Sequence, residues 1–273
     1  MTSELLSKIP TYKHLLTDFV RSPEAMPFFH LLRDGRPMTP ISLRNIFPGY
    51  GSFTQVGELI FCNNKKPLPG KCPKAVFTLM GPSTAGKDEV LKTASYRMFE
   101  GITRILTVTN RLRDSVVRRE GLTSEYIFCS AEEIEQMIAA GQFIETVIQG
   151  GFTYGTPTAS VEAALLEKSP FVVWRGDVNG SIVMRGWFAE HYPETPFVSL
   201  FVLPNMPPRQ YFQRLADKRG WEDTIRWRLK RAIHDLAMAP SVADVILLNP
   251  PEPGGKPIRA AAAMCEFLES LRV

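Results

Sequence analysis

The sequence lacks the cysteine and histidine patterns that build metal sites and disulfide frameworks. Its 273 residues include four cysteines, none of them in C-x-x-C spacing, and four scattered histidines. A zinc centre needs clustered ligands, and a small disulfide-stabilised scaffold needs a dense, regular set of cysteines. The absence of both patterns argues against these two classes and favours reduced thiols in a cytoplasmic protein.

Long hydrophobic runs and a strong charge excess are also missing. No apolar stretch reaches the roughly 18 residues of a membrane-spanning helix. The N-terminus, MTSELLSKIP, lacks the basic start and apolar core of a signal peptide. The formal net charge of +4 suits an anionic small ligand and does not require a nucleic acid. We therefore expect neither a membrane nor a nucleic acid as partner.

Residues 74–273 alternate short apolar runs with helical stretches. The runs are nearly continuous in hydrophobicity, as buried parallel strands require, and they read AVFTLM, FVVWR, FVSLFVL and ADVILL. Between them, Ser130 and Glu133 form a capping box at the start of a predicted helix. This alternation predicts an α/β fold with a mostly parallel sheet flanked by helices.

Residues 1–73 differ from the rest and are predicted to be an N-terminal extension to a domain that spans 74–273. They contain two stretches with helical spacing, a Pro- and Gly-rich segment, one short candidate strand in QVGELIFC and a linker-like NNKKPLPGKCPK. No motif assigns the extension a role. Packing on the core, formation of a homo-oligomer and binding of a partner protein all stay open.

The segment GPSTAGKDEV nearly matches a phosphate-binding loop, G-x-x-x-x-G-K-[ST]. Gly81 and Gly86 permit backbone torsions that aim successive N–H groups at one anion. The helix that begins near Lys87 adds the positive end of its dipole, and the lysine supplies a charge for the β- and γ-phosphates. The hydroxyl residue that should follow the lysine and hold magnesium is absent, since Asp88 and Glu89 stand there.

Several motifs, in the right order, resemble the guanylate kinase family. GPSTAGK resembles the family's GPSG-x-GK loop, TVTNR resembles S-x-T-T-R, and FIETVIQGGFTYGTPTASVEAAL resembles F-[IL]-E … YGT-P … V-E-x-A-L. SEYIFCSAEEIEQMI resembles a further family segment, and RLADKRG and WRLKRA resemble the arginine-bearing lid and the helix after it. The resemblance covers residues 75–273 and implies a P-loop kinase fold with inserted monophosphate-binding and lid segments.

The resemblance also implies roles for individual residues. The implied ATP-binding residues are Gly81, Ser83, Thr84, Ala85, Gly86, Lys87, Asp88 and Glu89. The implied GMP-binding residues are Thr107, Arg111, Tyr126, Glu145, Tyr154, Thr156 and Asp177, with Thr107 and Glu145 at the guanine base. The implied catalytic residues are Lys87, Arg214, Arg219 and Arg228. Clamping of charge by such groups is most of what phosphoryl transfer needs.

The chain departs from the family pattern at three places. Asp114 replaces the second arginine of the monophosphate site, and Arg175 replaces the first aspartate of the family's D-x-D. Glu89 takes the position of the hydroxyl in the G-K-x-[ST] variant of the loop. We expect Glu89 to be the metal-ligating residue and ATP binding to depend unusually strongly on Mg²⁺, because a carboxylate near the phosphates repels them unless a cation lies between.

The favoured interpretation is an ATP-dependent kinase that phosphorylates GMP or dGMP to the diphosphate, with Mg²⁺ as cofactor. Two alternatives stay open. GKDE also resembles the GKDS loop of ribose 1,5-bisphosphate phosphokinases, which suggests a kinase for another phosphorylated acceptor. The departures at Asp88, Glu89, Asp114 and Arg175 would also suit a catalytically degenerate guanylate kinase-like module that only binds partners.

Overall fold

The computed structural model describes residues 53–62, 68–99, 101–112, 126–219 and 222–273, and within them eleven strands form two sheets. The strands are β1 (Phe53–Val56), β2 (Leu59–Cys62), β3 (Ala75–Met80), β4 (Ile102–Arg104), β5 (Thr107–Thr109), β6 (Tyr126–Phe128), β7 (Phe143–Gln149), β8 (Phe152–Pro157), β9 (Phe171–Arg175), β10 (Phe197–Pro204) and β11 (Val245–Asn249). The helices are α1 (Lys87–Met98), α2 (Ala131–Ala139), α3 (Thr158–Leu166), α4 (Val178–His191), α5 (Pro208–Arg219), α6 (Glu222–Val242) and α7 (Ile258–Ser270).

The larger sheet confirms the predicted α/β class. Its strand order is β1-β2-β11-β10-β3-β9-β4, and the five strands from β11 to β4 are parallel. Strands β3 and β9 coincide with the predicted runs AVFTLM and FVVWR. Every residue of β3 and of β11 is buried, as expected for strands that helices cover on both faces.

Helices pack on both faces of this sheet. Successive side chains of a strand point to opposite faces, so Phe77 and Leu79 of β3 pack with residues of α1 and α7 in one cluster. Met80 of β3 packs with residues of α5 and α6 in a second cluster on the other face. The central position of β3 fixes the loop that follows it at the middle of the sheet's carboxyl edge, where α/β folds bind ligands.

The candidate strand in QVGELIFC is in fact two strands. Strands β1 and β2 form a hairpin around Gly57, whose φ is +57°, and β2 pairs antiparallel with β11. The backbone N–H of Leu248 donates to Glu58 O at 2.8 Å, which ties the hairpin to the sheet. The division of the chain at residue 73 stays a prediction, and residues 1–52 lie outside the described residues.

The smaller sheet carries most of the predicted GMP-binding residues. Its order is β6-β5-β8-β7, with β5 and β6 parallel and the other pairs antiparallel. The predicted capping box at the start of α2 is confirmed: Ser130 Oγ accepts from the Glu133 N–H at 3.1 Å, and Glu133 Oε2 accepts from the Ser130 N–H at 2.7 Å. This sheet faces the carboxyl edge of β3 and β9 across a cleft.

Candidate functional site

A cleft of about 420 Å³ brings most of the predicted site residues together. The loop after β3, the smaller sheet, the end of β9 and α6 all contribute to its lining. The predicted residues that line it are Gly81, Ser83, Thr84, Lys87, Asp88, Thr107, Arg111, Tyr126, Glu145, Tyr154, Asp177 and Arg228. Its volume is within the range of small-molecule sites, roughly 300–1,000 Å³.

The phosphate loop has the geometry that its glycines were expected to allow. Gly81 and Gly86 have φ of +141° and +88°, and Gly86 is the N-terminal cap of α1. Lys87 Nζ donates to Gly81 O at 2.6 Å and to Pro82 O at 3.1 Å. Burial lowers the pKa of Lys87 to about 8. The ammonium group therefore lies inside the loop, where phosphate oxygens can replace the two carbonyl groups.

Three long-range hydrogen bonds fix the shape of this loop. Tyr211 Oη donates to Ser83 O at 2.8 Å, and Arg228 Nη1 donates to Ser83 Oγ at 2.9 Å. Asn249 Nδ2, at the end of β11, donates to Ala85 O at 2.7 Å. Ala85 is fully buried, and neither it nor Gly86 is among the lining residues, so both shape the loop from behind.

Replacement of Gly81 by alanine is expected to destabilise the protein. A Cβ atom there would lie 2.4 Å from the backbone oxygen of Val202, in a conformation at φ +141° that L-residues rarely adopt. The positive φ alone costs about 1–3 kcal/mol, and the contact with backbone adds to it. Thermal unfolding should show a larger loss for Gly81→Ala than for Gly141→Ala, because Gly141 has φ +66° and nothing within 4 Å of its Cβ position. Equal losses would contradict the close approach to Val202.

The carboxylate of Glu145 is fixed by a short chain of hydrogen bonds. Trp174 Nε1 donates to Thr156 Oγ1 at 2.8 Å, and Thr156 Oγ1 donates to Glu145 Oε1 at 2.6 Å. The pKa of Glu145 is raised, because the effect of burial exceeds the opposite effect of the hydrogen bond from Thr156. Thr156 is fully buried and does not line the cleft, so its hydroxyl group orients Glu145 from behind. Glu145 itself lines the cleft.

Arg111, Tyr126 and Tyr154 lie together on the lining of the cleft. The rings of Tyr126 and Tyr154 are tilted against each other, with centroids 6.1 Å apart. One guanidinium and two phenol groups offer N–H and O–H donors, which suits a monophosphate. The position of the sequence departure at Asp114 lies outside the described residues.

Besides Ala85, Gly86 and Thr156, two more predicted residues lie outside the cleft lining. Glu89 is exposed on the first turn of α1 and is not among the lining residues, whereas its neighbour Asp88 is. Arg214 is half-buried on α5 and also lies outside the lining. The side chain of Arg219, the last residue of α5, is outside the described part of the structure. The metal and catalytic roles of these three residues therefore stay predictions.

The cleft lining also includes residues to which sequence reasoning assigned no binding role, among them Trp174, Arg175, Arg231 and Asp235. Trp174 and Arg175 end β9, and Arg231 and Asp235 lie on α6 with Arg228. Arg231 Nη2 lies 2.6 Å from Asp177 Oδ2, and its Nε donates to Asp235 Oδ1 at 3.1 Å. Burial raises the pKa of Asp235 to about 6. The spacing of 228, 231 and 235, which puts three charges on one helical face, was the available signal.

Arg175 joins the phosphate loop to the smaller sheet. Its Nη1 donates to the Asp88 carboxylate and its Nη2 to the Tyr126 hydroxyl. The guanidinium neutralises the Asp88 carboxylate and so offsets the repulsion that this carboxylate would exert on a bound phosphate.

The structure also limits two other kinds of site. Within the described residues, no group of three or more histidine, cysteine, aspartate or glutamate side chains is placed to hold a metal ion. No helix in the same part of the chain has both the length and the apolar character needed to cross a membrane.

Comparisons with known proteins identify the family. The sequence model of the family described as guanylate kinase matches residues 74–204. A guanylate kinase of Thermosynechococcus vestitus is 30% identical over 185 residues, which are 67% of this chain and 87% of that protein. A guanylate kinase of Helicobacter pylori is 30% identical over 174 residues, 64% of this chain and 79% of that protein.

A crystal structure of guanylate kinase from Anaplasma phagocytophilum, 21% identical, matches 74% of this chain and 88% of that chain with a TM-score of 0.48. The chain belongs to the guanylate kinase family.

Proposed function

We propose that the protein transfers the γ-phosphoryl group of ATP to GMP or dGMP, giving ADP and the guanosine diphosphate. The observation that carries this proposal is that one cleft contains both a phosphate loop and, opposite it, Glu145 beside two tyrosines. The loop at Lys87 suits the β- and γ-phosphates of the donor. The face formed by Arg111, Tyr126 and Tyr154 suits the phosphate of the acceptor.

Glu145 provides the preference for guanine. A carboxylate can accept from both N1–H and the exocyclic amine of guanine, whereas adenine offers no such pair of donors at that edge. Thr156 supports this role, because its hydroxyl group donates to Oε1 at 2.6 Å and so fixes the plane of the carboxylate. Thr107, on the same lining, is the second proposed contact to the base.

The charged groups around the loop would position and stabilise the phosphoryl group. Lys87 binds the donor phosphates, and Arg228, which reaches the loop through Ser83, is directed at the same region. Arg231 forms ion pairs with Asp177, the N-terminal cap of α4, and with Asp235 on α6. These pairs connect the two helices where they line the cleft. Phosphoryl transfer asks for this kind of positioning and charge stabilisation rather than for covalent chemistry.

Family membership implies Mg²⁺ together with ATP, but the described residues do not fit the protein's share of a magnesium site. Asp88 stands at the position of the loop hydroxyl, and Arg175 engages its carboxylate. Glu89 is exposed and outside the cleft lining. The proposed transfer therefore assigns no role to a metal ion held by side chains of this protein.

Location and partners complete the proposal. The four cysteines are free thiols, which supports the cytoplasm as the location. GMP is the proposed acceptor, and residues 1–73 are the proposed site of a homo-oligomer or partner-protein contact. The comparisons do not favour either alternative function, the ribose 1,5-bisphosphate kinase or the degenerate binding module.

A coupled assay tests the proposed reaction. ATP would be offered with GMP, dGMP, AMP, UMP and ribose 1,5-bisphosphate as separate acceptors, and ADP release would be measured. We expect turnover with GMP and dGMP and far less with the other acceptors. The proposal would be overturned if ribose 1,5-bisphosphate were the only acceptor phosphorylated, or if none of the five acceptors were phosphorylated.

Glu145→Gln is expected to weaken GMP binding by roughly 1–3 kcal/mol, because an amide N–H₂ would face the donors of guanine. Isothermal calorimetry with GMP measures this loss. Glu135→Gln is the matched control, since Glu135 is exposed on α2. Equal affinity of Glu145→Gln and the unmodified protein for GMP would contradict the assignment of the base site.

A further inference from the structure

Arg175 lies at the boundary between the two halves of the cleft. It is the last residue of β9 and pairs in register with Leu79 of β3, two residues before Gly81 of the loop. The carboxyl ends of parallel strands meet at the edge of the sheet where ligands bind. The backbone therefore places Arg175 beside the phosphate loop, and its side chain is 20% exposed and within reach of a ligand.

The guanidinium group of Arg175 contacts both halves of the cleft at once. Nη1 donates to the carboxylate of Asp88, on the first turn of α1. Nη2 donates to the hydroxyl of Tyr126, on the smaller sheet, and the guanidinium carbon lies 5.4 Å from the centroid of that ring. The guanidinium therefore links the first turn of α1, which follows the phosphate loop, to the strand that carries Tyr126.

The pairing also decides the charge at the loop. Burial alone would raise the pKa of Asp88, but Arg175 and Lys87 lower it below its usual range, so the carboxylate is an anion. Its charge is matched by the guanidinium rather than presented to a phosphate. A guanidinium carries five N–H donors in a planar fork that fits carboxylate and phosphate oxygens, so one such group can contact both.

The two sequence departures at Asp88 and Arg175 therefore compensate each other. A carboxylate stands where the family has a loop hydroxyl, and a guanidinium stands where it has a carboxylate. Either change alone would leave an uncompensated charge in a partly buried cleft, which is costly. Together they form an ion pair whose cation cannot ligate a metal and whose anion is already engaged. This donor set does not fit Mg²⁺, which needs a near-ideal octahedron of oxygen ligands.

We propose that Arg175 is a phosphate-binding residue of this cleft, that Asp88 positions it, and that this fixed cation allows ATP to bind without a divalent ion. The proposal depends on the proposed function only for the identity of the acceptor. It replaces the expectation, based on Glu89, that ATP binding is unusually dependent on Mg²⁺.

Calorimetric titration with the β,γ-imido analogue of ATP, in Mg²⁺ and in excess EDTA, tests the proposal. For the unmodified protein we expect dissociation constants that agree within about threefold, less than 1 kcal/mol. Arg175→Gln should weaken binding in EDTA by about tenfold or more, because the phosphates lose a cation and Asp88 loses its guanidinium partner. Adding Asp88→Asn to this variant should recover part of the loss, as expected if Asp88 acts through its charge.

A double variant restores the arrangement of the family. Asp88→Ser with Arg175→Asp supplies a hydroxyl and a carboxylate, and we expect Mg²⁺ to tighten its binding of the analogue by about tenfold or more. Arg175→Lys keeps a cation at this position, and it provides a second test of the proposal if Arg175→Gln does not fold. It should bind the analogue in EDTA with an affinity between those of Arg175→Gln and the unmodified protein. Thermal unfolding of each variant checks that it is folded.

Two results would overturn the proposal. One is an unmodified protein that binds the analogue more than about tenfold more tightly with Mg²⁺ than in EDTA. The other is a folded Arg175→Gln variant that binds it in EDTA as well as the unmodified protein does. The acceptor assay separates this proposal from the proposed function. If ATP binds without a metal ion but GMP is not phosphorylated, the role of Arg175 is supported and the proposed kinase activity is overturned. If GMP is phosphorylated but ATP binding requires a metal ion, the kinase activity is supported and the role of Arg175 is overturned.

Discussion

Lys87→Met is expected to reduce phosphoryl transfer by about 10²–10³-fold or more, since it removes a preorganised charge from the donor phosphates. The same change should make the free protein more stable. Lys87 is partly buried in the loop, and burial lowers its pKa to about 8. A lowered pKa means that the folded state disfavours the charged form, so the unliganded protein carries a cost at neutral pH that methionine does not.

The pH dependence of this stabilisation has a definite sign. The pKa of Lys87 is about 8 in the folded protein and near the ordinary lysine value of 10.5 when unfolded. The cost of the ammonium is complete below pH 8 and disappears as pH rises from 8 to 10.5, where the folded state has already lost its proton. Lys87→Met should therefore gain most below pH 8, by roughly 1–3 kcal/mol, or about 2–4 °C in melting temperature for each kcal/mol.

Coupled assays and thermal unfolding without nucleotide check both halves of this prediction. Lys92→Met is the matched control, because Lys92 is exposed on the same helix; we expect little change in either measurement. If Lys87→Met lowers activity and melting temperature together, the ammonium contributes to the folded loop through Gly81 O and Pro82 O. That outcome would contradict the cost assigned to its burial.

The framework of the sheet could be predicted from the sequence because its signals are local. A buried parallel strand is an unbroken apolar run, so AVFTLM and FVVWR coincide with β3 and β9. The two loop glycines could be predicted for the same reason. The phosphate-loop motif places a glycine at each position where the backbone has a positive φ, and both Gly81 and Gly86 do have one. The β1–β2 hairpin was missed in part, because its two strands of four residues are separated only by Gly57 and Glu58.

The side-chain partners inside the cleft could not be predicted in this way. Arg175 and Asp88 lie 87 positions apart and meet only because β9 and β3 are neighbours in the sheet. Each residue by itself looked like a loss of function. Thr156 could be placed near the acceptor by resemblance, but its role as a donor to Glu145 depends on the buried indole of Trp174. A sequence shows which residues have changed, and only the packing shows that two changes are paired.

Arg228→Ala is expected to lower kcat by about 10²–10³-fold, with a smaller effect on the KM for ATP. Arg228 projects from α6 to the loop, where its Nη1 donates to Ser83 Oγ at 2.9 Å, and it lines the cleft with Lys87. Because this guanidinium contacts the loop proposed to hold the β- and γ-phosphates, we expect its contribution to grow as charge develops in the transition state.

The matched control for this change lies on the same helix. Lys230 is exposed, and Lys230→Ala removes one positive charge from α6 without altering the cleft. Arg228→Lys keeps the charge but loses the fork, so its kcat should lie between those of Arg228→Ala and the unmodified enzyme. Steady-state kinetics with ATP and GMP measures all three variants. A raised KM for ATP at unchanged kcat would instead assign Arg228 to binding of the ground state, because an interaction of equal strength in both states cannot raise the rate of the chemical step.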